Sequence, residues 1–425
     1  MSDFYQTGVI TTLHRLGNTN LERLEAELCE HADTQPIALV LPCLYAELEG
    51  SALEDIIGHL QGVPYLKEIV VALGRASALE FRRAKEYFQK LPQHVRLVWI
   101  DGANIKELMS LLTQNDVDIG LPGKGQACWL AFGYVLARQQ SKVIVLHDCD
   151  VYTYDREFLA RLCYPVGNPN LGYEFCKGYY PRVTDRLYGR VTRLFMFPLI
   201  QSLIRLLGPQ KKLRFMESFR YPLAGEFGMV TDLAWINRFP GDWGLEIGVL
   251  AEVHRNCADR RVCQVDLTDR YEHKHKNLSA ENPEDGLLKM SVDIAKTLFR
   301  TLASDGVILS DATLKTLRAT YLQIAQETIK KYENVAAING LEFDRHAERT
   351  AVEAFLKGLL IATETFLKDP LGVPMISSWN HVVGAVPDFF DRLVNAVEAD
   401  HEWNPKHEDS SINNPQGDPS LKRPA

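Results

Sequence analysis

From residue 37 onward, apolar runs of strand length alternate with stretches whose apolar residues recur every three or four positions. The runs at 37–41, 68–73, 95–100 and 142–146 read as strands, with Pro42 stopping the first. Between them, 53–60, 77–89 and 126–139 carry helical spacing, and a glycine-rich turn at 120–125 opens the last. Such alternation predicts an α/β fold, a mostly parallel sheet with helices on both faces. Ligands of these sheets bind at the carboxyl ends of the strands. Pro42, Gly74 and Asp148 therefore share one rim.

The pattern changes twice along the chain. Upstream, residues 1–35 read as an N-terminal helical extension, with Leu21, Leu24 and Leu28 on one face. The catalytic α/β domain is expected over 36–280, with mixed short elements from 171 to 272. Helical spacing dominates afterwards, at 286–302, 311–334, 346–367 and 386–398, which sets off a C-terminal helical region over 281–400. Residues 401–425 are polar with four prolines and read as a disordered tail. No internal repeat is evident.

A length of 425 residues with 46% hydrophobic and 24% charged residues suits a soluble enzyme of one or two domains. The formal charge of −8 argues against a nucleic-acid partner, whose binder needs a basic surface. No apolar run approaches the ~20 residues of a membrane span. The stretch 195–207 is broken by Pro198, Gln201, Ser202 and Arg205 and reads as a buried or amphipathic helix. The first 13 residues lack a basic and then apolar leader pattern. Eight cysteines without a Cys-x-x-Cys pair argue against a zinc knuckle and fit free thiols in the cytoplasm.

The leading chemical signal is Asp148-Cys149-Asp150, directly after the 142–146 strand. Carboxylates one residue apart point to the same side of an extended chain and can hold a divalent cation together with nucleotide phosphates. His273, in Tyr271-Glu272-His273-Lys274-His275-Lys276, could complete that shell; a solvated charged turn is the competing reading. Gly123-Lys124-Gly125 places a cation where a helix begins, suited to a phosphate or simply to helix entry. In Gly189-Arg190-Val191-Thr192, Arg190 can clamp a carboxylate or phosphate, or belong to a basic helix face with Arg182, Arg186 and Arg193. Glu226, closing Pro222-Leu223-Ala224-Gly225-Glu226, and Glu246, closing Asp242-Trp243-Gly244-Leu245-Glu246, can receive sugar hydroxyls or sit at helix N-termini.

Taken in order, Leu41-Pro42, Gly123-Lys124-Gly125, Asp148/Asp150, Gly189-Arg190-x-Thr192, Pro222 to Glu226, Glu246 and His273 resemble the glucosyl-3-phosphoglycerate synthases, retaining glycosyltransferases of the GT-A fold. The resemblance spans about residues 36–280. It implies a Mg2+ or Mn2+ cofactor bound by Asp150 and His273, with an NDP-glucose donor (UDP or GDP) met by Leu41, Pro42, Lys124, Asp148 and Glu246. It implies 3-phosphoglycerate held by Gly189, Arg190, Thr192 and His275, no enzyme nucleophile, a phosphate oxygen or a backbone carbonyl near Leu223 as proton acceptor, and a homodimer. Tyr45-Ala46 stands where the family often has Asn-Glu, 72–76 lacks an Asp-rich turn, and His275 replaces a frequent asparagine. Competing expectations are a mannosylglycerate-type synthase using GDP-mannose and glycerate, a nucleotidyltransferase, and a binder without catalysis.

Overall fold

The computed structural model describes residue 6 and residues 8–241, 244–273 and 286–402. Among the described residues, eight strands form one sheet in the order β1-β8-β6-β7-β5-β2-β3-β4. They are β1 (Thr11–Leu13), β2 (Ile37–Leu44), β3 (Leu66–Gly74), β4 (His94–Trp99), β5 (Val143–Leu146), β6 (Phe175–Tyr179), β7 (Phe227–Val230) and β8 (Val262–Asp266). Every pairing is parallel except those of β7, which runs antiparallel to β5 and β6. The mostly parallel sheet expected from the alternating pattern is thus present, with one reversed strand near its middle.

Helices connect the strands. α1 (Leu21–His31) precedes β2, α2 (Ser51–Leu60) follows it, and α3 (Ala78–Phe88) leads to β4. α4 (Ala103–Gln114) and α5 (Lys124–Arg138) lie before β5, and α6 (Arg156–Gly167) after it. α7 (Phe197–Leu207) and α8 (Lys211–Glu217) separate β6 from β7; α9 (Thr231–Ile236) and α10 (Leu245–Asn256) separate β7 from β8. α11 (Gly286–Ser304), α12 (Asp311–Ile338), α13 (Arg345–Lys368), α14 (Trp379–Ala385) and α15 (Phe389–Glu402) are the remaining helices among the described residues. None of the described helices is long and apolar enough to cross a membrane.

Alternate residues of β2 separate the two cores. Leu39, Leu41 and Cys43 pack with α1, α2, α3 and α6, whereas Ala38 and Val40 pack with α5, α10 and the C-terminal helices. That second core stacks Trp129 of α5 on Trp379 of α14, with ring centroids 4.0 Å apart.

The structure corrects several sequence expectations. Residues 1–35 are not simply helical: Thr11–Leu13 pairs with Cys263–Val265 as an edge strand, and only α1 is helix. Three residues are too few to show a period, so β1 exists by virtue of its partner. Pro42 does not end its strand. β2 pairs with β5 only as far as Val40, so Pro42 lies where β2 has a single neighbour, β3, and a missing N–H is tolerated there. His401 and Glu402, read as tail, close α15, while 403–425 lie outside the described residues.

Candidate active site

Strand β5 ends at Leu146 and delivers His147-Asp148-Cys149-Asp150 to the carboxyl rim. Lys124, the first residue of α5, reaches the same place from the side. Its ammonium lies 2.5 Å from Asp148 Oδ1 and 3.6 Å from Glu246 Oε1. Glu246 occupies the first turn of α10, where a carboxylate also complements the helix dipole. Gly225 permits this convergence: a Cβ there would come within 2.6 Å of Asp148 Oδ2 and 3.2 Å of the Lys124 ammonium.

Asp150 faces a different partner. His273 Nδ1 lies 3.8 Å from Asp150 Oδ1, and Val151 bridges to His273 across the backbone. The Tyr152 N–H donates to the Glu272 carbonyl at 2.8 Å, so the 271–273 segment is tied to the end of β5 by main-chain bonds. The solvated-turn reading of His273 is thereby set aside for this residue. Beneath the pair, the Tyr180 and Tyr271 hydroxyls donate to Glu226 at 2.6 and 2.7 Å, and their rings stack 3.6 Å apart.

Burial and charge tune these groups in opposite directions. Burial raises the Asp150 carboxyl, Asp148 raises it further, and it stands at about 7. For Asp148, burial acts to raise the value, but the adjacent Lys124 outweighs it and the net shift is downward. Lys124 is raised: burial opposes its charge, and Asp148 and Glu246 more than restore it. Burial lowers His147 to about 4 and keeps it neutral, with Nδ1 2.9 Å from the Asp148 carbonyl. Lys177, in the middle of β6, is lowered by burial to about 8 despite the attraction of Glu246 and Glu226.

A divalent cation suits this set of donors. Asp150 offers a hard oxygen pressed by the negative charges of Asp148, Glu47 and Glu226, with an imidazole beside it. Among the described residues no three His, Cys, Asp or Glu side chains form a metal cage. An ion here would therefore complete its shell with substrate oxygens or water, as Mg2+ commonly does.

Arg190 and Thr192 lie on a second platform. Gly189 has φ of +71°, a left-handed conformation that favours glycine, and a π-helical turn (Val191–Met196) follows it. Arg190 Nε donates to Glu348 Oε1 at 2.9 Å and Arg193 Nη1 to Glu348 Oε2 at 2.8 Å, so α13 supports this platform. Thr192 is buried within the turn. A run of aromatic rings links the two platforms: Tyr221 lies near Gly189, its ring 5.1 Å from Tyr180, which stacks on Tyr271 beside His273.

The remaining expected residues divide. Leu41 is wholly buried, so only its backbone can reach a donor, and Pro42 is half-buried at the rim. Leu223 is buried in the turn before β7. His275, Asp242 and Trp243 lie outside the described residues. Tyr180, Lys177 and Glu348 were not anticipated; only Lys177 left a trace, as a charge inside an otherwise apolar run.

Across 401 residues the chain is 46% identical to the glucosyl-3-phosphoglycerate synthase of Persephonella marina, covering 94% of this chain and 99% of that protein. The chain belongs to the glucosyl-3-phosphoglycerate synthase family. The synthase of Methanococcoides burtonii is 36% identical over 403 residues, covering 94% and 98%. No family model matches the chain. Among solved structures, the Mycobacterium tuberculosis synthase in complex with Mn2+, UDP-glucose and phosphoglyceric acid superimposes with a TM-score of 0.50 at 24% identity, covering 71% of this chain and 89% of that one. Mannosyl-3-phosphoglycerate synthase from Rubrobacter xylanophilus gives 0.51 at 21% identity, covering 71% and 83%. Both establish the GT-A fold, and family membership makes the chain a glycosyltransferase.

Proposed function

We propose that this enzyme transfers glucose from UDP-glucose to the 2-hydroxyl of 3-phosphoglycerate with retention at the anomeric carbon. The observation that carries this reading is the convergence of Lys124, Asp148 and Glu246 beside Asp150 and His273 at the carboxyl rim of the sheet. A Mg2+ or Mn2+ ion held by Asp150 and His273 would neutralise charge on the donor's diphosphate. Lys124 adds a fixed positive charge where that leaving group departs, which is where such charge lowers a barrier most. Asp148 orients Lys124 and faces the ribose, and Glu246 accepts hydrogen bonds from the glucose hydroxyls. Leu41 through its backbone, with Pro42, borders the nucleoside.

Gly189, Arg190 and Thr192 form the acceptor platform, with His275 assigned to the same role. Arg190, anchored through Nε, directs the rest of its guanidinium fork at the phosphate or carboxylate. Holding both substrates in reacting geometry supplies much of the acceleration. No side chain is assigned as nucleophile; a carbonyl near Leu223 accepts a hydrogen bond from the acceptor's 2-hydroxyl, and as its oxygen bonds to the anomeric carbon the proton passes to a phosphate oxygen of the departing UDP. Eight unpaired cysteines fit a reducing compartment, and we place the enzyme in the cytoplasm as a homodimer.

An activity matrix tests the assignment: UDP-glucose, GDP-glucose and GDP-mannose against 3-phosphoglycerate and glycerate, each with and without chelator. The expected product is glucosyl-3-phosphoglycerate by mass, formed from UDP-glucose and abolished by chelation. Transfer from GDP-mannose to glycerate alone would replace this reading with the mannosylglycerate one.

A further inference from the structure

β6 reads Phe175-Cys176-Lys177-Gly178-Tyr179, with a lysine among buried neighbours. Lys177 is 1% exposed, and among the described residues its ammonium has no hydrogen-bond partner. Its Cα is registered with Phe227 of β7, and the ammonium lies 5.2 Å from the centre of that ring. Phe227 belongs to the core shared with α5 and α10, the helices whose first turns carry Lys124 and Glu246. The carboxylates whose charge reaches Lys177 are Glu246, Glu226 and Asp148, while Lys124 repels it. A buried ammonium without a bonded partner destabilises a fold and is better replaced by an apolar side chain unless function retains it.

Lys124 divides itself between Asp148 and Glu246 at 2.5 and 3.6 Å. A diphosphate arriving at the rim competes for that same ammonium, and Glu246 then retains the electrostatic attraction of Lys177. We propose that Lys177 is a positioning residue for the sugar end of the donor: its buried ammonium is the standing counter-charge to Glu246 and Glu226, and it keeps Glu246 directed at the sugar when the diphosphate takes Lys124. This rests on the donor roles proposed above for Lys124 and Glu246.

The experiment compares Lys177→Met with Lys124→Met and the unaltered enzyme, titrating UDP and UDP-glucose by calorimetry in magnesium buffer, with steady-state kinetics and thermal melting. Lys177→Met should bind UDP as the unaltered enzyme does. It should lose the extra affinity for UDP-glucose and lower kcat/KM for that donor roughly 10- to 100-fold, as loss of a supporting charge does. The KM for 3-phosphoglycerate should hold, and the melting temperature should hold or rise. Lys177→Gln, uncharged but polar, should show the same split. Unchanged kinetics, an equal loss of UDP and UDP-glucose binding, or failure of both variants to fold overturns the inference, because each marks Lys177 as neutral or structural. If Lys124→Met leaves UDP binding untouched, the donor reading itself falls, whatever Lys177 does.

Discussion

Asp150 lies among like charges, with Asp148 two residues before it and Glu47 and Glu226 within electrostatic reach, while His273 stands 3.8 Å away. Groups so arranged repel one another in the protein alone and are reconciled by a cation, which is the usual mark of a functional rather than a structural cluster. Asp150→Asn separates the two demands. It removes an anionic ligand and also relieves repulsion, so turnover should fall by at least about 100-fold, in line with loss of one key electrostatic contact. The melting temperature should not decrease. Near-normal activity measured with excess Mg2+ would remove Asp150 from the metal site. Asp148, Asp150, Lys124 and Glu246 were legible in the sequence because each stands at the end of a strand or the start of a helix, where position follows from local pattern. Lys177 and Glu348 were not. Glu348 meets Arg190 across a separation of 158 residues, and no local periodicity encodes such a pairing.

The elements that carry these side chains were read more easily than their junctions. α5 begins two residues earlier than its apolar spacing suggests, because Lys124 and Gly125 contribute backbone to the first turn without extending the apolar stripe. The region after Gly189 was seen only as a motif; the structure makes it a π-helical turn, a local departure that helices often adopt at functional sites. That turn needs support, and α13 supplies it through Glu348, which is 4% exposed and bonded to both Arg190 and Arg193. Glu348→Gln would leave two guanidinium groups facing a neutral amide. The expected stability loss is roughly 2 kcal/mol, below the range for fully buried pairs, since Arg190 keeps a third of its surface in water. The kinetic consequence discriminates between roles. If Glu348 aims Arg190 at the acceptor, KM for 3-phosphoglycerate rises about tenfold while KM for UDP-glucose holds, a loss comparable to one charged hydrogen bond. Equal changes in both constants would make Glu348 a purely structural anchor.

At the scale of the whole molecule, the C-terminal helices are part of the same packed body as the sheet. The change of spacing after residue 281 set off a C-terminal helical region, which is present as α11 to α15, but a change of period does not reveal where a helix docks. The Tyr321 hydroxyl of α12 donates to the Leu194 carbonyl at 2.9 Å, and α15 returns to the far edge of the sheet. There Glu398 accepts from Arg96 Nε at 2.9 Å and from the Tyr134 hydroxyl at 2.7 Å, and Asp400 accepts from Asn104 at 2.7 Å. A further contact of α15, at His401, is sensitive to protons. The Leu97 N–H of β4 donates to His401 Nε2 at 2.8 Å, which requires a neutral ring. Burial lowers this histidine from 6.5 to about 4, helped by Arg96, Lys85 and His94 and opposed by Glu398. The unfolded chain therefore binds this proton at higher pH than the folded one, so the contribution is complete above about 6.5 and is lost as pH falls toward 4. Its size is at most about 3 kcal/mol, and less because the ring is only partly buried. His401→Gln keeps an acceptor near Leu97 without a titrating group. Melting temperatures of the two proteins should lie close together near pH 7 and diverge as pH falls toward 4, the unaltered protein losing more, whereas parallel curves would show that the closure of α15 on β4 does not depend on the protonation of His401.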